Sequence, residues 1–170
     1  MRPGTFPAFL SLGRKKMKKL YTAVTAILTL TIALHSPAQG YVKGPWRAAS
    51  KSAASITGDI AISDAKVTIN FKSFPLAPIR SLQPAEVAAV FDADVNTSPP
   101  GNLFRLSVPA SFRLLHRNTL CGSDNTQWMA TYLDGKTLQV AFFSGDEVPV
   151  FTMELMSNSA RLCGVYAYVR

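Results

Sequence analysis

Histidine and cysteine are nearly absent from this chain, with two of each in 170 residues. One histidine, His35, falls in an N-terminal segment expected to be removed, so His116 stands alone in the remainder and a multi-histidine metal site is excluded. The two cysteines lack the Cys-x-x-Cys spacing that lowers a thiol pKa by proximity, which argues against a redox-active pair. No Gly-x-Ser-x-Gly elbow, glycine-rich phosphate loop, dinucleotide fingerprint or calcium-loop series occurs. No cofactor and no metal are therefore expected. Acidic residues are scarce as well, ten against eighteen basic ones, and that imbalance turns out to be local.

The N-terminal segment carries it. Lys15, Lys16, Lys18 and Lys19 lead into an apolar run over residues 20–34, followed by a short polar tail, which is the three-part order of a secretory signal. Ser36, Pro37 and Ala38 put small residues where a signal peptidase reads, so cleavage is expected after Ala38, with Met17 a second candidate start. The apolar run is shorter than the roughly 20 residues that span a bilayer and contains four threonines. No cysteine lies between residues 20 and 40, so no lipid on sulfur is expected there. The compact lysine-rich lead looks bacterial. The expectation is an exported protein, periplasmic or extracellular, soluble and not lipidated, with no transmembrane segment after cleavage.

Six of the eighteen basic residues fall in that segment and none of the acidic ones does. What remains is close to neutral, and no part of it gathers Lys and Arg densely enough to track phosphates, so no nucleic-acid partner is expected. Arg113, His116 and Arg117 come nearest to a patch and read as a solvated turn beside a strand. Cys121 and Cys163 each sit in a Leu-Cys-Gly tripeptide. In an oxidising compartment such a pair reads as a disulfide, worth about 4 kcal/mol by loop closure.

Residues 39–54, rich in Gly, Ser, Ala and Lys with Trp46 the one large apolar side chain, read as a flexible lead-in to a single β domain over 55–170. From residue 55 the pattern has period two. Ile56, Gly58, Ile60 and Ile62 share a face and meet Val67, Ile69 and Phe71 across a short loop, with Ile62 opposite Val67, Ile60 opposite Ile69 and Gly58 opposite Phe71. Pro75 and Pro78 demand that any strand over residues 74–82 be an edge or interrupted. Residues 84–91 fit a short helix beginning at Pro84, but alternation through Val95 covers more residues and favours a strand. A strand over 103–108 and a helical turn within 109–115 follow. Asp134-Gly135 is a two-residue hairpin signal that pairs Leu133 with Lys136. Met129, Thr131, Leu138, Val140 and Phe142 then share one face, and Trp128, Tyr132 and Phe143 stand on the other, as a second packing layer or a binding wall. Strands are expected at 150–155 and 165–169.

About eight short strands predict an all-β domain with one disulfide: a small antiparallel barrel, lipocalin-like or otherwise meandering, with a β-sandwich as the alternative. Small exported barrels with one disulfide, bacterial lysozyme inhibitors among them, are similar in size and style, although none of their signature motifs is present. The expected function is a non-enzymatic binding or inhibitory module of the cell envelope, for an unknown protein or small apolar ligand. The candidate face is Trp128, Tyr132 and Phe143, with Arg113 and His116, or else the barrel mouth. Alternatives are an envelope structural or assembly factor and, less favoured, a hydrolase using His116 with Ser111 or Ser123 and Asp124.

Overall fold

The structure, a computed structural model, describes residues 42–170, and the expected signal segment lies outside them. Eight strands run in sequence order: β1 (Gly44–Ala48), β2 (Ile60–Ile62), β3 (Lys66–Ile69), β4 (Lys72–Leu82), β5 (Gly101–Val108), β6 (Thr126–Asp134), β7 (Thr137–Ser144) and β8 (Leu162–Val169). Each pairs antiparallel with the next, and β8 pairs back onto β1, closing a meander barrel without edges. Closure protects every ladder, which a sandwich would not.

β1 comes from the stretch expected to be a flexible lead-in. Trp46 is 2% exposed, its indole N–H donates to the Val42 carbonyl at 2.7 Å, and the Arg170 guanidinium lies 4.2 Å above its ring. One buried aromatic anchors a strand of five residues, too short for its periodicity to be read from sequence. β1 pairs with β2 through Gly44–Trp46 and with β8 through Arg47 and Ala48, so it is the strand that shuts the barrel.

The first hairpin has the expected register, Ile62 opposite Val67 and Ile60 opposite Ile69. It ends sooner than expected at both sides. Residues 53–57 form a single π-helical turn (Ala53–Thr57), not a strand, and β3 turns at Asn70-Phe71 to pair Ile69 with Lys72. Pro75 and Pro78 fall where β4 changes partner: it pairs β3 up to Pro75 and β5 from Leu76. A register shift between Pro78 and Arg80 then moves Leu76 to the barrel interior and Leu82 to its outer layer.

Residues 84–91 are a helix, α1 (Pro84–Phe91), contrary to the strand reading. Its start is specified twice, by Pro84 and by a capping box in which the Gln83 side chain meets the Glu86 backbone and the Glu86 carboxylate accepts from the Gln83 N–H at 2.9 Å. Glu86 also takes a two-pronged hydrogen bond from Arg80, 2.7 Å at each oxygen, which holds its carboxyl below the usual range and binds α1 to β4. Val87, Val90 and Phe91 bury one face. A Cβ on Gly101 would lie 2.6 Å from the Thr131 carbonyl oxygen and 3.1 Å from Val87, so glycine is required where β5 passes between β6 and the helix.

The β6–β7 turn is one residue later than expected, with Asp134 opposite Thr137 and Leu133 opposite Leu138. That displaces the pairing by two, and with a side-chain period of two the faces are unchanged. Met129, Leu138, Val140 and Phe142 join Ile60, Val67, Ile69, Leu76, Leu106 and Tyr168 to fill the interior. Residues 150–155 form no strand: the barrel is complete with eight, and Thr152 caps a short helix, α2 (Met153–Ser157), accepting from the Leu155 N–H at 3.3 Å. The disulfide Cys121–Cys163 ties the β5–β6 connection to the start of β8 across a sequence separation of 42.

Candidate functional site

Connections after odd-numbered strands gather at one end of the barrel, as antiparallel order requires. There the chain plugs its own mouth. Ala53, Thr57, Leu114 and Leu120 are buried, and Phe112 packs edge-on against Phe74 at 5.0 Å. The Tyr168 hydroxyl meets Thr57 Oγ1 at 2.7 Å, and burial pushes the phenol pKa up strongly. The interior is filled and this mouth is shut by the chain itself.

On the rim of that mouth stands Phe71, 99% exposed. Asn70 (φ 47°) and Phe71 (φ 63°) both occupy left-handed backbone, the form of a two-residue hairpin turn whose second position favours glycine. Beside it is a 3-10 turn at Leu115–Arg117, where His116 (φ 53°) and Arg117 (φ 64°) are left-handed too. Of the five non-glycine residues with such backbone among those described, four are in these two turns; the fifth, Asp92, ends α1. Left-handed backbone costs a residue such as Phe71 or Arg117 about 1–2 kcal/mol and asparagine or histidine less. Strained positions of this kind cluster at functional sites.

The two turns share a groove of about 450 Å³, lined by Pro45, Thr57, Gly58, Asp59, Ile60, Phe71 and Leu115 among others. Asn118 Nδ2 reaches the Ser55 carbonyl at 3.2 Å, fixing the 3-10 turn to the mouth plug. Lys72 adjoins Phe71, and His116 and Arg117 adjoin Leu115, all exposed. Asp59 is the carboxylate among the groove's lining residues, and it accepts from the Ala48 N–H at 2.9 Å.

The candidate residues read from sequence divide between two places. Trp128, Tyr132 and Phe143 are 4%, 5% and 0% exposed and lie in an outer hydrophobic layer with Leu82, Val87, Phe91 and Phe151. The Trp128 indole N–H donates to the Gly145 carbonyl at 2.9 Å under the Arg105 guanidinium, while Tyr132 stacks on Phe91 and Phe143 on Phe151. Arg113 and His116 belong instead to the loop at the mouth. The Arg113 guanidinium donates to the Ala110 carbonyl at 2.8 Å. Among the described residues, no serine or carboxylate side chain hydrogen-bonds the His116 ring, and no three His, Cys, Asp or Glu side chains converge as a metal site. Phe71 was hidden in the sequence because its alternation with Ile69 suggested a buried position. Asn70 was the available signal, since asparagine tolerates left-handed backbone.

No protein-family model, curated protein or solved structure matches the chain.

Proposed function

We propose that this chain is an exported, disulfide-stapled barrel of the bacterial cell envelope that acts by binding another protein through the rim around Phe71, without catalysis. The exposed phenyl ring on a strained two-residue turn carries the reading. A solvated aromatic at a glycine-favouring position costs folding stability twice, and a contact made by that ring is the simplest return. The lining groove offers further apolar surface from Pro45, Ile60 and Leu115. Lys72, His116 and Arg117 border it and favour a partner surface that is apolar at its centre and acidic around it.

The filled interior weighs against a small apolar ligand inside the barrel. The disulfide fits an oxidising compartment, in keeping with the signal-like segment 1–38. Affinity recovery from the envelope fraction of the native host tests the proposal, with wild-type protein and Phe71→Gly compared side by side. A protein retained by the first and depleted at least tenfold with the second is expected. Equal recovery with both removes Phe71 from the reading.

A further inference from the structure

A second surface lies across the barrel from Phe71, and its chemistry is the reverse. In the connection from β7 to β8, Val148, Val150, Met153 and Leu155 are 49%, 61%, 63% and 53% exposed. Val148, Val150 and Leu155 line a groove of about 400 Å³ together with the fully buried Phe143. Asp146, Glu147 and Glu154 stand on this segment, which holds no lysine or arginine before Arg161, and Asp146 is paired with Arg105 of the neighbouring β5 at 3.5 Å. The Arg161 guanidinium is occupied by the Ser144 and Glu147 carbonyls and by the Glu147 carboxylate at 3.9 Å.

We infer that this groove receives Phe71 of a second copy of the chain. One surface is an exposed aromatic flanked by Lys72 and Arg117, and the other is an apolar recess on a segment that carries three carboxylates against the single Arg161. The net charges of the two segments are opposite, and one surface is convex where the other is concave. The turn after β3 and the connection after β7 are four strands apart in either direction around a closed barrel of eight, so the ring cannot reach the groove of its own chain. Made reciprocally the contact closes a two-fold pair, and repeated head to tail it propagates into rings or filaments. The carboxylates of the segment disfavour an anionic lipid surface as the occupant. This inference rests on the reading of Phe71 as a contact residue and names its partner.

Sedimentation velocity of the purified protein over a range of concentrations tests it. Wild-type protein is expected to self-associate reversibly, into pairs or longer species, to a degree that rises with concentration and falls with added salt. Phe71→Gly and Leu155→Glu should each weaken association about thirtyfold or more, as loss of an interface hot spot does. Both sites are on the surface, and circular dichroism verifies that each variant is folded. Mixed in equal amounts, the two variants should form a complex of two chains and no more, since one keeps the groove and the other the ring. Oligomers that persist in Phe71→Gly, or variants that fail to associate on mixing while wild-type protein does, overturn the inference. So does a wild-type protein that stays monomeric throughout. In that last case, a photo-crosslink from position 71 to a different polypeptide leaves the binding reading standing, and no crosslink removes both.

Discussion

The Tyr168 hydroxyl and Thr57 Oγ1, 2.7 Å apart and both buried, join the last strand to the turn that plugs the barrel mouth. Tyr168→Phe keeps the ring and removes this bond, and should cost about 1 kcal/mol in urea unfolding at neutral pH. Burial raises the phenol pKa in the folded state, so the associated stability is complete below the unfolded value of about 10 and declines as pH rises beyond it. Unfolding measured from pH 8 to 11 should show a decline that is shallower in Tyr168→Phe. Tyr166, raised in the same direction by burial, supplies the part that remains.

Glu86 has the opposite sign. Its hydrogen bonds from Arg80 depress the carboxyl pKa, so its contribution is present above about 4.5 and is lost as pH falls through the folded value. Arg80 is 39% exposed, and solvent screening keeps the pair to about 0.5–1 kcal/mol. Glu86→Gln should lose that amount at pH 7 and nearly nothing at pH 2.5, read as the difference in unfolding midpoint.

Reducing the disulfide should lower stability by about 4 kcal/mol, because a long loop is released into the unfolded ensemble. The double variant Cys121→Ala with Cys163→Ala should match reduced wild-type protein within about 1 kcal/mol, an allowance for the changed side chains. A difference well beyond that would locate the effect in packing around the sulfur atoms and not in loop closure.

Thr131 is fully buried, and its hydroxyl has no hydrogen-bond partner. Thr131→Val has nearly the same shape and should raise stability by about 1 kcal/mol, since no bond is lost and a buried polar group is removed. A loss of stability in thermal unfolding would show that the hydroxyl is satisfied in solution.

Much of this architecture was legible in the residues. Alternation around Ile60, Val67 and Ile69 fixed a hairpin and its register, and Met129, Leu138, Val140 and Phe142 declared the interior face even though the turn was placed one residue early. The disulfide followed from two cysteines and an export-like segment. Misread elements were those in which tertiary context overrode a short pattern. The strand β1 depends on one tryptophan. In α1, the Gln83 and Glu86 cap outweighed an alternation that Ala88, Ala89 and Ala93 satisfied without requiring it. Residues 150–155 alternate like a strand, but the closed barrel leaves them no edge to join.

The candidate site was less legible for a related reason. Trp128, Tyr132 and Phe143 are the aromatics that sequence pattern places on one face, and the two helices cover that face. Phe71 is exposed because a turn begins one residue before it. That turn is visible only in the pairing of Ile69 with Lys72.

Phe71→Gly separates stability from binding. Glycine adopts the left-handed backbone freely, so the variant should be more stable than wild type by about 1 kcal/mol while losing its partner. A variant that is destabilised would show that the ring packs against its own chain.

The most direct measurement is photo-crosslinking in the native compartment with a benzophenone amino acid at position 71, and at position 79 as the control, where Ile79 is 46% exposed on β4. Discrete protein adducts from position 71, absent at position 79, are the expected result. No adduct at position 71, or the same adducts at both positions, would contradict the assignment of the Phe71 rim as the binding surface.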